Sequence, residues 1–502
     1  MRSRRSFVLM LLSCLVVAGW AGAASATPKI SAPVPLDSWV YPALEQLVGQ
    51  GVLPPTLQGV RPYTRLEVAR QLATLPAEAA ATLPPVTTAQ VQRLRAEFAD
   101  ESRWLVPLRA VTLDYLLQTG QPSRDSGTPA QQWALNYNND GRDYRDRHNL
   151  QLTAAGEARG WEVVLLHLRP QLLAGEGEGL DLTLLTGGAA VALGVVELSV
   201  GRQALWWGPG RHGSLLLSNN APPLDMVRLT NPAPVTLPWL LRYLGPFRFD
   251  LFVSRLEEER VVPHPYFGGF RLDIQPAAWL ELGAARTVIF GGEGRPAVDA
   301  GDFLAIIGGH NLSGDDDTSN QLAALDFSLR LAPLGGAQLY GELGGEDEAG
   351  ACFSKTAWLT GLYLPRLDAA GRLSLRAEYA NLAFRNNGNV WYRHGIYRSG
   401  YTYEEHFLGH HVGGDGRDAF GELRLLLPEY AATVIGSLDG EWRGISGAVV
   451  ERHLQPSLRI EASAAGFDWR LGYAIDVIAN VDYVAGQDAT SQLFTAGFSR
   501  RW

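Results

Sequence analysis

Alternation of apolar and polar residues runs through the chain from about residue 150 to its end. The stretch 325–331, LDFSLRL, places an apolar side chain at every second position, and 247–251, 270–274, 373–379 and 458–462 repeat the pattern. A β-strand points successive side chains to opposite faces, so each stretch predicts a strand with one apolar and one charged face. A soluble sandwich would leave few Arg and Asp residues facing its core. The pattern therefore favours a membrane barrel, with lipid outside and a polar lumen.

The N-terminal 26 residues have the composition of a secretory signal: three arginines, an apolar run over 7–20, and small residues at 24–26. We therefore expect residues 1–26 to be removed on export. A lipoprotein signal at Cys14 is disfavoured because the apolar run continues past that cysteine. If Cys14 is removed, Cys352 remains alone, and we expect no intrachain disulfide.

The charge and hydropathy of the chain exclude two classes of protein. After the signal we find no apolar run long enough for a membrane-spanning helix, so any membrane integration must use strands. The formal net charge is −9, and it becomes more negative once the signal arginines are removed, which argues against a nucleic-acid partner. All basic residues except Lys29 and Lys355 are arginine. Arginine suits carboxylate-bearing ligands, although GC-rich codon usage explains its even spread better.

Residues 27–104 differ from the rest of the chain and predict a small periplasmic helical module. A first helix is indicated over 39–47 and a second after Thr64, with Glu67 at the capping-box position; a third fits Thr87 or Thr88 through about Glu101. The module resembles one surface-layer homology repeat, which would tether the protein to cell-wall polymers. A plain helical cap on the barrel is the favoured alternative.

Residues 105–502 are predicted to form the barrel. Membrane strands of about 10 residues, with their turns, give about 16 to 20 strands over this length. A lumen of that width cannot be filled by wall side chains alone, so loops must plug it or it is a channel. Phe494, Ala496, Phe498 and Trp502 fall on one face of the last strand, as is typical of outer-membrane barrel C-termini.

One block interrupts the alternation. It runs GRQALWWGPGRHGSLLLSNNAP over 201–222, and Arg228 and the stretch 243–247 follow it. Two tryptophans before Gly-Pro-Gly predict a rigid aromatic turn, and hydroxyl and amide groups come next. Aromatic faces pack against sugar C–H surfaces, while amides and arginines bind hydroxyls or carboxylates. Each residue taken singly is better explained by packing in the wall or plug, but the block as a whole predicts carbohydrate binding.

The same block carries a resemblance to the capsule assembly Wzi family. The similar motifs cover nearly the whole mature chain: WWGPG at 206–210, SLLLSNNAP at 214–222, LGPF at 244–247, ART at 285–287 with GGEGRP at 291–296, DDDTSNQL at 315–322, LYGE at 339–342, ED at 346–347, GLYLP at 361–365, YTY at 401–403 and GH at 409–410. The resemblance implies an all-β, antiparallel outer-membrane barrel of about eighteen strands, with loops that occlude the pore.

The resemblance also implies a function: attachment or assembly of capsular polysaccharide or exopolysaccharide at the cell surface. Family members are lectin-like and not enzymes, so we expect glycan binding without chemical conversion and no cofactor. The expected partners are surface polysaccharide and outer-membrane lipid, with peptidoglycan or export machinery as candidate contacts of residues 27–104. Nine residues are candidates for glycan contact: Trp206, Trp207, Arg211, Asn219, Asn220, Arg228, Arg286, Tyr401 and His410.

Other clusters have weaker patterns. The acidic run 315–317 has ligands for Ca²⁺ but lacks EF-hand spacing, so a solvated loop is favoured. A His- and Tyr-rich loop over 394–411 lacks zinc-ligand spacing, and sugar stacking or interface anchoring explains its tyrosines better. Charged pairs such as Arg376 with Glu378 suggest a salt-bridged lumen more than a glycosidase site. A porin or sugar-selective channel remains the alternative function.

Overall fold

Two structural parts make up the chain: a small helical module and a large closed barrel. The computed structural model describes residues 29–99, 101–133, 135–176, 179–296, 319–346, 355–383 and 390–502. None of the helices in these ranges has the length and apolar character needed to cross a bilayer. We number the module helices α1 to α4 and the barrel strands β1 to β18, each in chain order.

The barrel is a closed antiparallel cylinder of 18 strands, which confirms the predicted fold class. Each strand pairs with its neighbours along the chain, and β18 returns to β1, where Leu113 lies opposite Phe498. The strands are β1 (Leu105–Thr119), β2 (Arg147–Gly160), β3 (Val164–Gly175), β4 (Asp181–Leu193), β5 (Val196–Gln203), β6 (Leu224–Thr230), β7 (Pro246–Arg255), β8 (Tyr266–Ala277), β9 (Leu280–Phe290), β10 (Ser319–Leu331), β11 (Ala337–Glu346), β12 (Thr356–Leu364), β13 (Leu373–Asn381), β14 (Gly416–Leu427), β15 (Ala432–Arg443), β16 (Glu451–Ala464), β17 (Phe467–Ala479) and β18 (Ala489–Arg501).

The wall has the predicted two faces. In β10, Leu325 and Phe327 are 52% and 36% exposed on the outside, whereas Asp326 and Ser328 are buried in the interior. Apolar side chains therefore meet lipid, and polar side chains line the lumen.

The two ends of the barrel differ in the length of their connections. At the end that holds both termini of the barrel, short turns over 161–163 and 428–431 join neighbouring strands. At the other end the connections over 120–146 and 382–415 are long. Short turns face the periplasm in outer-membrane barrels, so we infer that the helical module lies on the periplasmic side and the long connections at the cell surface.

The module contains α1 (Val40–Gly49), α2 (Arg65–Ala73), α3 (Ala77–Ala81) and α4 (Pro85–Glu97). The cap of α2 is confirmed, because the Thr64 Oγ1 accepts a hydrogen bond from the Glu67 N–H at 3.2 Å. The bounds predicted for the third helix are wrong at both ends. Its structural counterpart α4 begins earlier, at a proline suited to a first helical turn, and stops before Glu101.

Contacts between side chains and backbone tie the module to the barrel. The Glu281 carboxylate of β9 accepts the N–H groups of Gln58 and Gly59 at 2.7 and 2.8 Å, and Arg248 of β7 pairs with Glu67 of α2. A two-residue strand of the module, Val60–Arg61, enters the lumen and pairs with Trp206–Trp207. The module therefore caps the short-turn end of the barrel, whereas its periplasmic location and cell-wall binding stay predictions.

Two surface connections fold into the lumen, 204–222 and 390–415, and together we call them the plug. Plug and wall share one apolar core, in which buried plug residues pack against the inner faces of β7 to β12. Its large members include Trp207, Trp391, Tyr392, Tyr401, Phe252, Phe267 and Tyr340. One side of the wide lumen is thus filled by hydrophobic packing of plug and wall.

Candidate glycan-binding site

Carboxylates of the barrel wall hold the backbone of the first plug segment. Glu378 of β13 accepts the N–H groups of residues 211–213 at 2.8, 3.0 and 3.4 Å. Glu342 of β11 accepts the N–H of Leu215 at 2.9 Å. These hydrogen bonds are buried, and leaving a buried donor without its acceptor is costly. The conformation of the WWGPG turn is therefore set by the wall and not by the turn alone.

Glycines let the plug approach these partners closely. Gly208 has φ +116°, and a Cβ there would lie 2.2 Å from the Glu342 carboxylate. A Cβ on Gly213 would lie 2.2 Å from the ring of His410 in the second plug segment. Both separations are too short for any side chain, so the Gly-rich composition of this block serves tight packing.

The tryptophan pair lies in the core of the plug. Trp207 is 1% exposed, its Nε1–H donates to Asp250 of β7 at 2.9 Å, and its ring lies 5.4 Å from that of Phe252. Trp206 is also buried, with the Arg61 guanidinium 4.8 Å from its ring centroid. The indole rings of both tryptophans therefore make their contacts inside the protein.

The amide and phenol candidates are buried as well. Asn219 donates to the carbonyl of Asn138 at 2.9 Å, and Asn220 donates to that of Phe407 at 3.0 Å. The Tyr401 hydroxyl donates to the Leu216 carbonyl at 2.9 Å. These contacts connect the two plug segments to each other and to the connection over 120–146.

Arg211 extends from the plug to the helical module. Its guanidinium pairs with Glu45 of α1 and lies 5.5 Å from the ring centroid of Tyr41. Arg376 of β13 binds the same carboxylate at 2.8 Å. Burial opposes ionisation of Glu45, but the two guanidiniums outweigh it and hold the pKa of Glu45 below its ordinary value.

Arg286 lies apart from the other candidates. In β9 the buried residues Ala285 and Thr287 face the lumen, so Arg286 points to the outer side with Leu282, which is 38% exposed. Its guanidinium donates to Gln321 of β10. Arg286 is therefore an outer-wall residue near the cell-surface end of its strand.

A cavity of about 390 Å³ occupies the lumen on the side opposite the apolar core. Polar and charged side chains of the module and of β1 to β6 and β16 to β18 line much of it. Of the nine candidates, Arg228 lines this cavity, and Asp250 holds its guanidinium through two hydrogen bonds of 2.7 and 3.0 Å. Thr112, Thr186 and Thr495 contribute hydroxyl groups. The cavity is large enough for part of a glycan chain, and polar groups within its lining can bind sugar hydroxyls.

The ion pairs beside this cavity could not be predicted from the sequence. Asp37 of the module accepts hydrogen bonds from Arg169 of β3 at 3.2 Å and from Arg142 at 3.4 Å. Burial alone would raise the pKa of Asp37, but these guanidiniums hold it below its ordinary value. No sequence spacing links residues so far apart in the chain.

The predicted signal 1–26 and the acidic run 315–317 lie outside the described residues.

Fold and lumen together define a class: an outer-membrane β-barrel whose own loops and N-terminal module occupy its interior. The sequence profile of the family described as "Capsule assembly protein Wzi" matches residues 118–493, which is most of the chain. The chain therefore belongs to the capsule assembly Wzi family.

Two relatives add detail. An uncharacterized 55.8 kDa protein in the cps region of Klebsiella pneumoniae is 37% identical over 170 residues, which span 33% of this chain and about a third of that relative. A solved structure is described as Wzi, an outer membrane protein involved in group 1 capsule assembly in Escherichia coli and a carbohydrate-binding β-barrel. It matches with a TM-score of 0.73 at 22% identity, over 95% of this chain and all of that one. This likeness shows the fold.

Proposed function

We propose that this protein binds capsular polysaccharide or exopolysaccharide and takes part in attaching it to the cell surface, without converting it chemically. The observation that carries the proposal is the plug: one side of a barrel wide enough for a channel is occupied by loops that buried wall carboxylates hold in place. A porin has no use for such a plug, whereas a binding protein needs a fixed surface. Family membership and the carbohydrate-binding description of the Escherichia coli structure support the same function.

We propose that the nine candidate residues divide by role. Trp206, Trp207, Asn219, Asn220, Tyr401 and His410 shape the plug, because their side chains are buried within it. Arg228 contacts a glycan segment that enters the lumen cavity, together with the threonine hydroxyls there. Arg211 joins the plug to the module, and Arg286 meets glycan or lipid headgroups along the outer wall.

The test measures binding of purified acidic capsular polysaccharide to the full-length protein in lipid vesicles, with neutral dextran as the comparison ligand. A triple variant, Thr112→Val, Thr186→Val and Thr495→Val, removes cavity hydroxyls at nearly constant volume. We expect its affinity to fall about a hundredfold with little change in Tm, since three lost hydrogen bonds of about 1 kcal/mol each add to about 3 kcal/mol. Thr490→Val, at an exposed position outside the cavity, is the matched control.

Two results would contradict the proposal. Steady, open ion conductance of the wild-type protein in planar bilayers would favour the porin alternative. Equal glycan affinity of the triple variant and the wild type would show that the cavity is not the binding site. Capsule retention on cells carrying each variant would then decide whether the plug surface binds the glycan instead.

A further inference from the structure

Four potential metal ligands meet where the plug contacts β14 and β15. His212 comes from the first plug segment, His411 from the second, Asp418 from β14 and Asp439 from β15. The Nε2 of His212 lies 3.0 Å from the Asp439 Oδ2 and 3.2 Å from the Asp418 Oδ2. The Nε2 of His411 lies 3.0 Å from the same Asp418 oxygen. All four ligand atoms lie within 4.8 Å of one another.

Several atoms of this cluster lack a hydrogen bond although they are buried. Neither ring nitrogen of His411, nor the Asp418 Oδ2, nor the Asp439 Oδ1 makes one of acceptable geometry among the described residues. The four residues are 6% exposed or less. Buried polar atoms in folded proteins nearly always have a hydrogen-bond or metal partner. We therefore expect one bound partner that several of these atoms share.

The charges point to the same conclusion. Glu441, which lies 3.2 Å from the His411 Nε2, has its own partner in Arg443 at 2.6 Å. The two aspartates then leave two buried negative charges beside two imidazoles. Protonating both rings would place like charges together, since their centroids are 4.8 Å apart. A single divalent cation neutralises both carboxylates without that repulsion.

We propose that His212, His411, Asp418 and Asp439 bind Zn²⁺ through the two Nε2 atoms and one oxygen of each carboxylate. Zinc bonds to nitrogen and oxygen of about 2.0–2.1 Å give a tetrahedral edge of about 3.3 Å, close to the shorter separations here. The rings are already oriented: His212 stacks on Phe420 at 3.8 Å and His411 on Tyr137 at 4.3 Å. The ion joins both plug segments to the wall.

The experiment uses the full-length, untagged protein purified without chelators. We expect elemental analysis to find about one zinc per chain. Treatment with dipicolinate should lower Tm, and Zn²⁺ but not Mg²⁺ should restore it. His411→Gln should reduce bound zinc to background. The control is His453→Gln. His453 is equally buried, but Asp476 and Glu451 already bind its two ring nitrogens at 2.7 and 2.9 Å. We therefore expect no change in zinc content in this variant.

Chelation of the wild-type protein keeps the test decisive even if a variant fails to fold. The proposal is overturned if the purified protein holds no zinc and neither the chelator nor added Zn²⁺ changes Tm. It is also overturned if zinc binds but stays at the same stoichiometry in His411→Gln, since the ion would then lie elsewhere. These outcomes are independent of glycan binding.

Discussion

The carboxylate of Glu378 offers the most direct way to loosen the plug while the wall stays intact. Four donors converge on it: the N–H groups of residues 211–213 and the hydroxyl of Tyr340, which lies 2.7 Å from Oε1. In Glu378→Gln the amide oxygen can replace Oε1. The amide nitrogen, a donor, then takes the place of Oε2 and faces two backbone N–H groups.

The expected loss of anchoring free energy follows from the two backbone N–H groups that no longer have an acceptor. A buried donor without an acceptor costs about 1–3 kcal/mol, so the plug loses about 4 kcal/mol of anchoring. A loss of that size changes the ratio of anchored to released plug about a thousandfold. The strand pairing of the wall is unchanged, so we expect local opening and not loss of the barrel.

Two measurements check this prediction. Amide hydrogen exchange over 205–217 should become about a thousandfold faster. Planar bilayers should show transient conductance that the wild type lacks, because a lumen of 18 strands conducts when it is not filled. Glu429→Gln is the matched control: Glu429 forms an exposed 3.2 Å pair with Arg372 on a short periplasmic turn. Wild-type exchange rates and silent bilayers for Glu378→Gln would refute this account of how the plug is held.

Further variants probe the tryptophan pair and the module. Trp207→Phe should lower stability by about 1 kcal/mol, through the lost bond to Asp250, and leave glycan affinity unchanged; reduced affinity at an unaltered Tm would instead indicate direct sugar contact. Glu67→Gln leaves the buried Arg248 without its charge partner, which should weaken docking of the module to the barrel by about 3 kcal/mol. Trypsin should then cleave the module faster, and unchanged cleavage would argue against this anchor. Arg61→Lys should weaken binding to two plug carbonyls by about 1 kcal/mol and speed exchange of the plug amides; wild-type exchange would show that this arginine is dispensable.

The barrel could be predicted from the sequence because its signal is local. The alternation of apolar and polar residues around Asp326 is complete within a few residues, and it specifies both faces of the strand. The same holds for the cap of Thr64 with Glu67, which spans three residues. The short helix Ala77–Ala81 was missed because five residues between two prolines carry too little periodicity to identify a helix.

The interior could not be predicted in the same way, because its contacts join distant parts of the chain. Glu378 and the amide of Arg211 are 167 positions apart, and Glu342 and that of Leu215 are 127 apart. A tryptophan pair in a Gly- and Pro-rich loop predicts an exposed platform when the wall opposite it is unknown. Here that wall supplies Phe252 and an acceptor, Asp250, so the same residues form a core. The metal-ligand set was missed for the same reason, since its four members share no spacing.

The pairing of Val60–Arg61 with Trp206–Trp207 gives the molecule a mechanical property. One strand enters from the periplasmic mouth of the barrel and the other from the cell-surface mouth, and they meet inside as a single small sheet. Covalent and hydrogen-bonded backbone therefore runs through the lumen from one side of the membrane to the other, and wall carboxylates hold it on both sides of the small sheet. We expect a displacement of the helical module on the inner side to be transmitted through this sheet to the loops on the outer side.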